Sequence, residues 1–149
     1  MGIVERIFTA ATRGAPMVSR DRVTALMNEG LVGDRYAQAA TRRGPNYQLT
    51  LIEAENVEAF AHSIDGAFKA DMPRRNIVTR GVSLNDLVGR QFGIGGAKLE
   101  GIELCEPCSL FAKRTRREVL THFRNRGGLR ARIVGGGEIH VGDAVIVIE

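Results

Sequence analysis

The stretch GRQFGIGGAKLEGIELCEPCSLF, from Gly89 to Phe111, decides how the fold is read. Glycines punctuate it, and between them lie two short segments, from about Gln91 to Ile94 and from about Lys98 to Leu104, that predict short strands. In the second, Leu99, Gly101 and Glu103 alternate with Lys98, Glu100, Ile102 and Leu104, so one face is only partly apolar. The strand series then runs into the two cysteines of the chain, Cys105 and Cys108, spaced C-x-x-C. Such a pair can be a redox disulfide, half of a zinc site, or one reactive thiolate with a structural neighbour.

The same punctuation extends outward in both directions. The 18 glycines cluster at GLVGDR, GRQFGIGGAKLEG, RGG and IVGGGEIHVGD, and separate segments rich in Val, Ile and Leu. Further strands are predicted from about Gly2 to Ala10, Gln48 to Ile52, Asn76 to Thr79, Arg130 to Val134 and Asp143 to Ile148. Two helices interrupt them. EAENVEAFAHSI places Val57, Phe60, Ala61 and Ile64 on one face, predicting a helix from about Ala54 to Ile64. Thr115 and Glu118 have the form of a capping box and Gly127 that of a stop, which predicts a second helix from about Arg116 to Asn125, burying Val119, Leu120 and Phe123. The fold class that results is mainly β, a β-barrel with a few short helices, rather than alternating βαβ units.

Length and composition set the outer bounds. A chain of 149 residues suits one hydrophobic core, so a single domain over residues 1–149 is expected. It is 44% hydrophobic and 26% charged, with no apolar run of membrane-spanning length. The opening MGIVERIFTAATRG puts Glu5 and Arg6 where a secretory signal would be apolar, so a cytoplasmic location is expected, and the cysteines are expected to be thiols. The net charge is only +4, but Lys113, Arg114, Arg116, Arg117, Arg124, Arg126, Arg130 and Arg132 are opposed by Glu118 alone. That segment is either a solvated face or an anion-binding patch.

The position of the cysteine pair weighs against two of its three readings. Thioredoxin-like exchange places its motif near the front of a βαβ unit, whereas this one follows a glycine-rich strand series two-thirds of the way along. Structural zinc needs four ligands, and Cys105, Cys108, His62, His122 and His140 match no finger or ribbon spacing. A thiolate site remains: Pro107 restricts Glu106 to extended geometry and turns the chain just before Cys108, among many arginines that favour an anionic sulfur. Two small hydrophobes buried at a strand end are the plainer alternative.

In order along the chain, GLVGDRYA, YQLTLIEAENVEAF, RRNIVTRGVSLNDLVGRQFGIGGAKLEGIELCEPCSLF and RGGLRARIVGGGEIHVGDAV resemble the MOSC domain, a module named after the C-terminal part of molybdenum cofactor sulfurases. The similarity runs from about Leu31 to the end, in the manner of a short standalone bacterial member. It implies a β-barrel with small helices. It places the catalytic and metal-binding role on Cys108, as the thiolate ligand of molybdenum carried by a pyranopterin cofactor, or as the bearer of activated sulfur. Soft thiolates suit polarizable metals. The resemblance further implies that Arg74, Arg75, Asn76 and Arg80 hold the pterin and its phosphate, a task for which guanidinium forks are well shaped. Asp34, Arg35 and Arg130 join that set, while Gly127 and Gly128 would let the backbone approach a ligand closely. Asp34 and Arg35 could equally cap a turn and pair with each other.

The pyridoxal phosphate domain of the complete sulfurases and the extra N-terminal barrel of the reductases have no counterpart here, so no pyridoxal phosphate is expected. Two activities follow from the resemblance. The protein would carry sulfur or the metal cofactor to a molybdoenzyme, with a sulfur-donor protein as a further partner, or would reduce N-hydroxylated compounds with an added electron donor. A basic nucleic-acid-binding barrel without catalytic activity is the alternative, suggested by a pI near 9.6. Aromatics are only 5% of the chain, however, and form no evident stacking platform in the basic segment, so nucleic acid is a poor expectation; no membrane partner is expected either.

Overall fold

The computed structural model describes residues 2–38 and 44–148. Its first half contains β1 (Gly2–Thr9), β2 (Val18–Arg20), β3 (Arg22–Leu26), β4 (Gly30–Leu31), β5 (Leu49–Glu53), α1 (Ala54–Ser63) and β6 (Ile77–Arg80). The second half adds β7 (Gln91–Ile94), β8 (Ala97–Leu104), α2 (Ser109–Arg114), α3 (Val119–His122), β9 (Leu129–Gly135), β10 (Gly137–His140) and β11 (Ala144–Val147). Strands pair in the order β11-β7-β8-β9-β5-β6-β1, and β1 pairs back to β11, which closes a seven-stranded barrel. β2 continues along the free part of the same β1 edge, and β10, β3 and β4 form a small second sheet. The fold is therefore mainly β, as the glycine punctuation predicts.

Period-two alternation fills the barrel. On β9, Leu129, Ala131 and Ile133 point inward; on β5, Leu49 and Leu51 do; Phe92, Ile94 and Leu99 come from β7 and β8. A bulge between Val4 and Arg6 lets Val4 and Ile7, three residues apart, face this interior, while Phe8 turns outward. Each such large side chain contributes roughly 1.5–3 kcal/mol on burial, so this set dominates the choice of fold.

A second core lies outside the barrel wall. Ile52, Val78 and Phe8 face outward and are covered by Val57 and Phe60 of α1, by Phe68, and by Phe111, Val119 and Phe123 of the α2–α3 region. The rings of Phe60 and Phe68 meet edge to face at 4.8 Å. β5 is consequently buried on both faces, and β5–α1–β6 is a parallel crossover, one βαβ unit inside an otherwise antiparallel barrel.

Two local expectations are corrected. The helix predicted from Arg116 to Asn125 is only the short α3, Val119–His122, and a separate short helix, α2, precedes it. Thr115 spends its hydroxyl on the Phe111 carbonyl at 2.7 Å, closing α2, and Glu118 pairs with Arg116 at 2.8 Å, so no capping box forms. Val119 and Phe123 are buried as predicted, but Leu120 is exposed. Strands β2, β3, β4 and β10 also go beyond the prediction. β2 exposes all three of its residues, and β10 buries only Ile139.

Candidate functional site

Outside the barrel wall, beneath α2, the described residues enclose a cavity of about 260 Å³. Its floor comes from strand alternation: Thr50 and Arg130, register partners on β5 and β9, point outward between inward-facing leucines and alanine. The loop before β6 supplies Met72, Pro73, Arg74 and Arg75. The end of β8 supplies Cys105, and Cys108 precedes α2, which adds Leu110, Phe111 and Arg114. Arg13 and Gly14 follow β1, and two 3-10 turns, Arg35–Ala37 and Pro45–Tyr47, bring Arg35, Tyr36 and Tyr47.

Among the described residues the lining contains six arginines (13, 35, 74, 75, 114 and 130) and no aspartate or glutamate. That is a strongly anion-attracting wall. One side of it interleaves cations with rings: Arg35 stands 4.5 Å from the Tyr36 ring, Tyr36 meets Tyr47 at 6.2 Å, and Arg130 stands 5.0 Å from the Tyr47 ring. Burial opposes the charge of Arg130, but its neighbours Cys105, Tyr36 and Tyr47 together outweigh it and push its pKa up.

Arg74 lies among these cations. Its backbone is in the left-handed region (φ 60°), and its Nε and Nη2 are buried without a hydrogen-bond partner among the described residues. Burial, then repulsion by Arg35 and Arg114, pushes its pKa down. The residue as a whole is half-buried, but two buried nitrogens in that state cost stability unless an anion supplies the missing acceptors.

The structure brings Cys108, Arg74, Arg75, Arg35 and Arg130 to this one cavity. Cys108 is exposed and Cys105 is buried at 2%; both are free thiols. Asp34 lies behind the wall, where its carboxylate accepts from Ala10 N at 2.9 Å and Tyr36 N at 3.3 Å and caps the 3-10 turn that carries Arg35. Asn76 is also behind it, only 1% exposed: its Oδ1 accepts from Thr50 N at 3.0 Å and its Nδ2 donates to Phe8 O at 3.1 Å. It bridges β1 and β5 and holds Thr50 from the rear. Arg80 does not line the cavity. Its guanidinium pairs with Glu5 at 2.6 Å and with Glu58, and those carboxylates push its pKa up. Gly127 and Gly128 serve close approach of protein rather than ligand: a Cβ on either would overlap the carbonyl oxygen of Cys105 or of Leu51, and Gly128 has φ +108°.

Sequence reasoning missed Tyr36, Tyr47, Thr50, Arg13 and Phe111 as lining residues. Tyr36 and Tyr47 lie within motifs already singled out, but aromatics spaced eleven residues apart carry no periodic signal. The basic segment is not one surface. Arg114 and Arg130 line the cavity, Arg132 pairs across strands with Glu100 at 2.7 Å, and Arg116 pairs with Glu118. No cluster of three or more His, Cys, Asp or Glu able to hold a metal ion occurs among the described residues. No helix among them is long and apolar enough to cross a membrane.

The MOSC domain family model matches residues 38–146. No curated protein matches the chain in sequence. Among solved structures, the YuaD protein from Bacillus subtilis superposes with a TM-score of 0.81 at 16% identity, covering 99% of this chain and 96% of that one. YiiM from Geobacillus stearothermophilus superposes at 0.80 with 14% identity, covering 100% and 76%. YiiM from Escherichia coli gives 0.76 with 18% identity, covering 100% and 70%. At these identities the likeness is one of fold.

Proposed function

The chain belongs to the MOSC domain family, and from that premise we propose that its arginine-lined cavity binds molybdenum cofactor with the Cys108 thiolate as the protein's ligand. Arg74 carries the reading. Two of its buried guanidinium nitrogens lack acceptors, in a cavity without a carboxylate. A phosphate, such as the pyranopterin bears, supplies those acceptors in the forked geometry a guanidinium matches.

The donor set fits in a second respect. Two thiols and, among the described residues, no metal-ligating cluster make a poor site for a free ion, but a metal that arrives on an organic cofactor brings ligands with it and needs little more than one soft sulfur. When bound, the cofactor would supply a centre that exchanges electrons or sulfur. Around it Arg74, Arg35 and Arg130 hold negative charge, and Tyr36 and Tyr47 flank the guanidiniums. Cys108 stands exposed as the reacting sulfur, while Cys105 stays buried at the strand end. The cavity is somewhat below the roughly 300–1,000 Å³ of typical small-molecule sites. Part of a pyranopterin would remain outside it, which suits a protein that passes the cofactor or its sulfur on, or admits a partner that delivers electrons.

The test is to isolate the protein from molybdate-replete bacterial cells and measure molybdenum and oxidised-pterin fluorescence per chain. Near-equal stoichiometry of both is expected, and their absence after loading with purified cofactor would sink the reading. Turnover of an N-hydroxylated compound with an added electron donor then identifies a reductase component; transfer to an apo-molybdoenzyme without turnover identifies a carrier. For nucleic acid there is no comparable support, since Phe111 and Phe123 are buried in the outer core and not arrayed for stacking.

A further inference from the structure

Arg74 and Arg75 are adjacent in sequence and opposite in circumstance. Whereas Arg74 leaves two nitrogens without acceptors, Arg75 commits all three of its own. Its Nε donates to Gly127 O at 2.9 Å, its Nη1 to Pro73 O at 2.8 Å and its Nη2 to Cys105 O at 3.4 Å. These carbonyls belong to three separate segments: the entrance to β9, the loop before β6, and the end of β8. The same guanidinium stands 6.0 Å from the ring of Phe111 on α2. Cys105 is fastened through its other peptide group as well, its N donating to Gly128 O at 2.7 Å. The absence of a side chain at Gly127 lets the carbonyls of Gly127 and Cys105 come close enough for one planar fork to span them.

We propose that Arg75 is the positioning residue of the site, clamping the Cys105–Cys108 turn to the loop that bears Arg74 and so setting the separation between the thiol and the anion-holding guanidinium, without binding the anion itself. The proposal rests on the reading that Arg74 and Cys108 serve one ligand, but the clamp it describes exists in the ligand-free protein. A lysine cannot replace the fork, because a single ammonium on a flexible stem does not reach three carbonyls in one plane.

Site-resolved alkylation of the cofactor-free protein tests it. With iodoacetamide and peptide mass spectrometry, Cys108 of the parent should label and Cys105 should resist. In Arg75→Lys the strand end loosens, and Cys105 labelling should rise about tenfold or more, the factor expected when a charge-assisted hydrogen bond to a buried carbonyl is lost. Ile139→Val, in the small sheet away from the cavity, serves as the control for a general loss of stability measured by urea. If Cys105 labelling in Arg75→Lys tracks global stability as it does in Ile139→Val, Arg75 is only a structural residue and the proposal is overturned. Should Arg75→Lys not fold, Arg75→Gln is examined with low millimolar guanidinium ion. Restored protection of Cys105 by guanidinium, but not by methylammonium, supports the clamp, and no difference between the two ions overturns it. Inorganic phosphate binding separates the two readings. Arg75→Lys should keep most of it and Arg74→Ala should lose it; equal losses would make Arg75 an anion ligand. A parent that binds no phosphate would count against the cofactor reading, while the labelling result would still decide the role of Arg75.

Discussion

On β9, Leu129, Ala131 and Ile133 face an apolar interior, whereas Arg130, between the first two, faces a cavity lined by six arginines. β5 repeats the division, with Leu49 and Leu51 inside and Thr50 outside. One pair of strands thus walls two compartments of opposite chemistry. The interior gains stability from every side chain it contains. The cavity holds at least one, Arg74, whose charge is pushed down by burial and by neighbouring cations. The proposed function therefore assigns stability and binding to alternate residues of the same strands, and substitutions on the two sides should have opposite signatures.

The largest effect is expected where the two compartments meet. Gly128 sits at φ +108° with no room for a Cβ against the Leu51 carbonyl, so Gly128→Ala should lose about 3 kcal/mol or more by urea denaturation. A cost below about 1 kcal/mol would show that β5 and β9 are not held so closely. Inside the barrel, Phe92→Ala should cost about 3–5 kcal/mol, with anion binding by the surviving folded protein unchanged.

On the cavity side the sign reverses. Arg74→Ala should leave stability equal or slightly raised, because two buried donors without acceptors are removed from a half-buried side chain, while phosphate binding falls at least tenfold. A clear loss of stability in Arg74→Ala would erase the distinction between the compartments.

Smaller effects sharpen the comparison. Glu53 is raised in pKa by burial and by Glu55 and Asp86, against the lowering effect of the Leu84 N–H. The folded state therefore holds that proton more tightly than the unfolded state. Its contribution is full below the ordinary glutamate range and is lost as pH rises through the folded pKa. Glu53→Gln should flatten that part of the stability profile and leave neutral-pH stability equal or slightly raised. Arg80→Gln, outside the cavity and tied to Glu5 and Glu58, should lower stability only slightly, as solvent screens the pair, and leave phosphate binding untouched.

How much of this was legible depended on whether the signal was local. β7 and β8 were predicted within a residue because glycines bound them on both sides, and α1 because Val57 and Phe60 recur at helical spacing. β2 exposes every side chain and so has no apolar pattern to find. The helix predicted after Thr115 is shorter than its pattern suggests, because its capping residues found partners in Phe111 and Arg116. At the site, the sequence pointed to the right loop but could not apportion its cations. In RRNIVTR, Arg74 enters the cavity with open valences, Arg75 is spent on carbonyls, Asn76 bridges strands and Arg80 turns to carboxylates on another face. Those fates are decided by residues far off in sequence.

The central claim, that one exposed sulfur beside an arginine-lined cavity carries the cofactor, is tested most directly by substituting the cysteines one at a time. Folded Cys108→Ser and Cys105→Ser are each loaded with molybdenum cofactor, or with persulfide from a sulfur donor, beside the parent, and bound molybdenum or sulfane sulfur is counted per chain. Serine keeps the shape and removes the soft, readily ionised sulfur. The account predicts near-complete loss in Cys108→Ser and retention of most of the load in Cys105→Ser. Equal losses in both would contradict it in favour of a dithiol pair, and full retention in Cys108→Ser would leave the exposed cysteine without the role assigned to it.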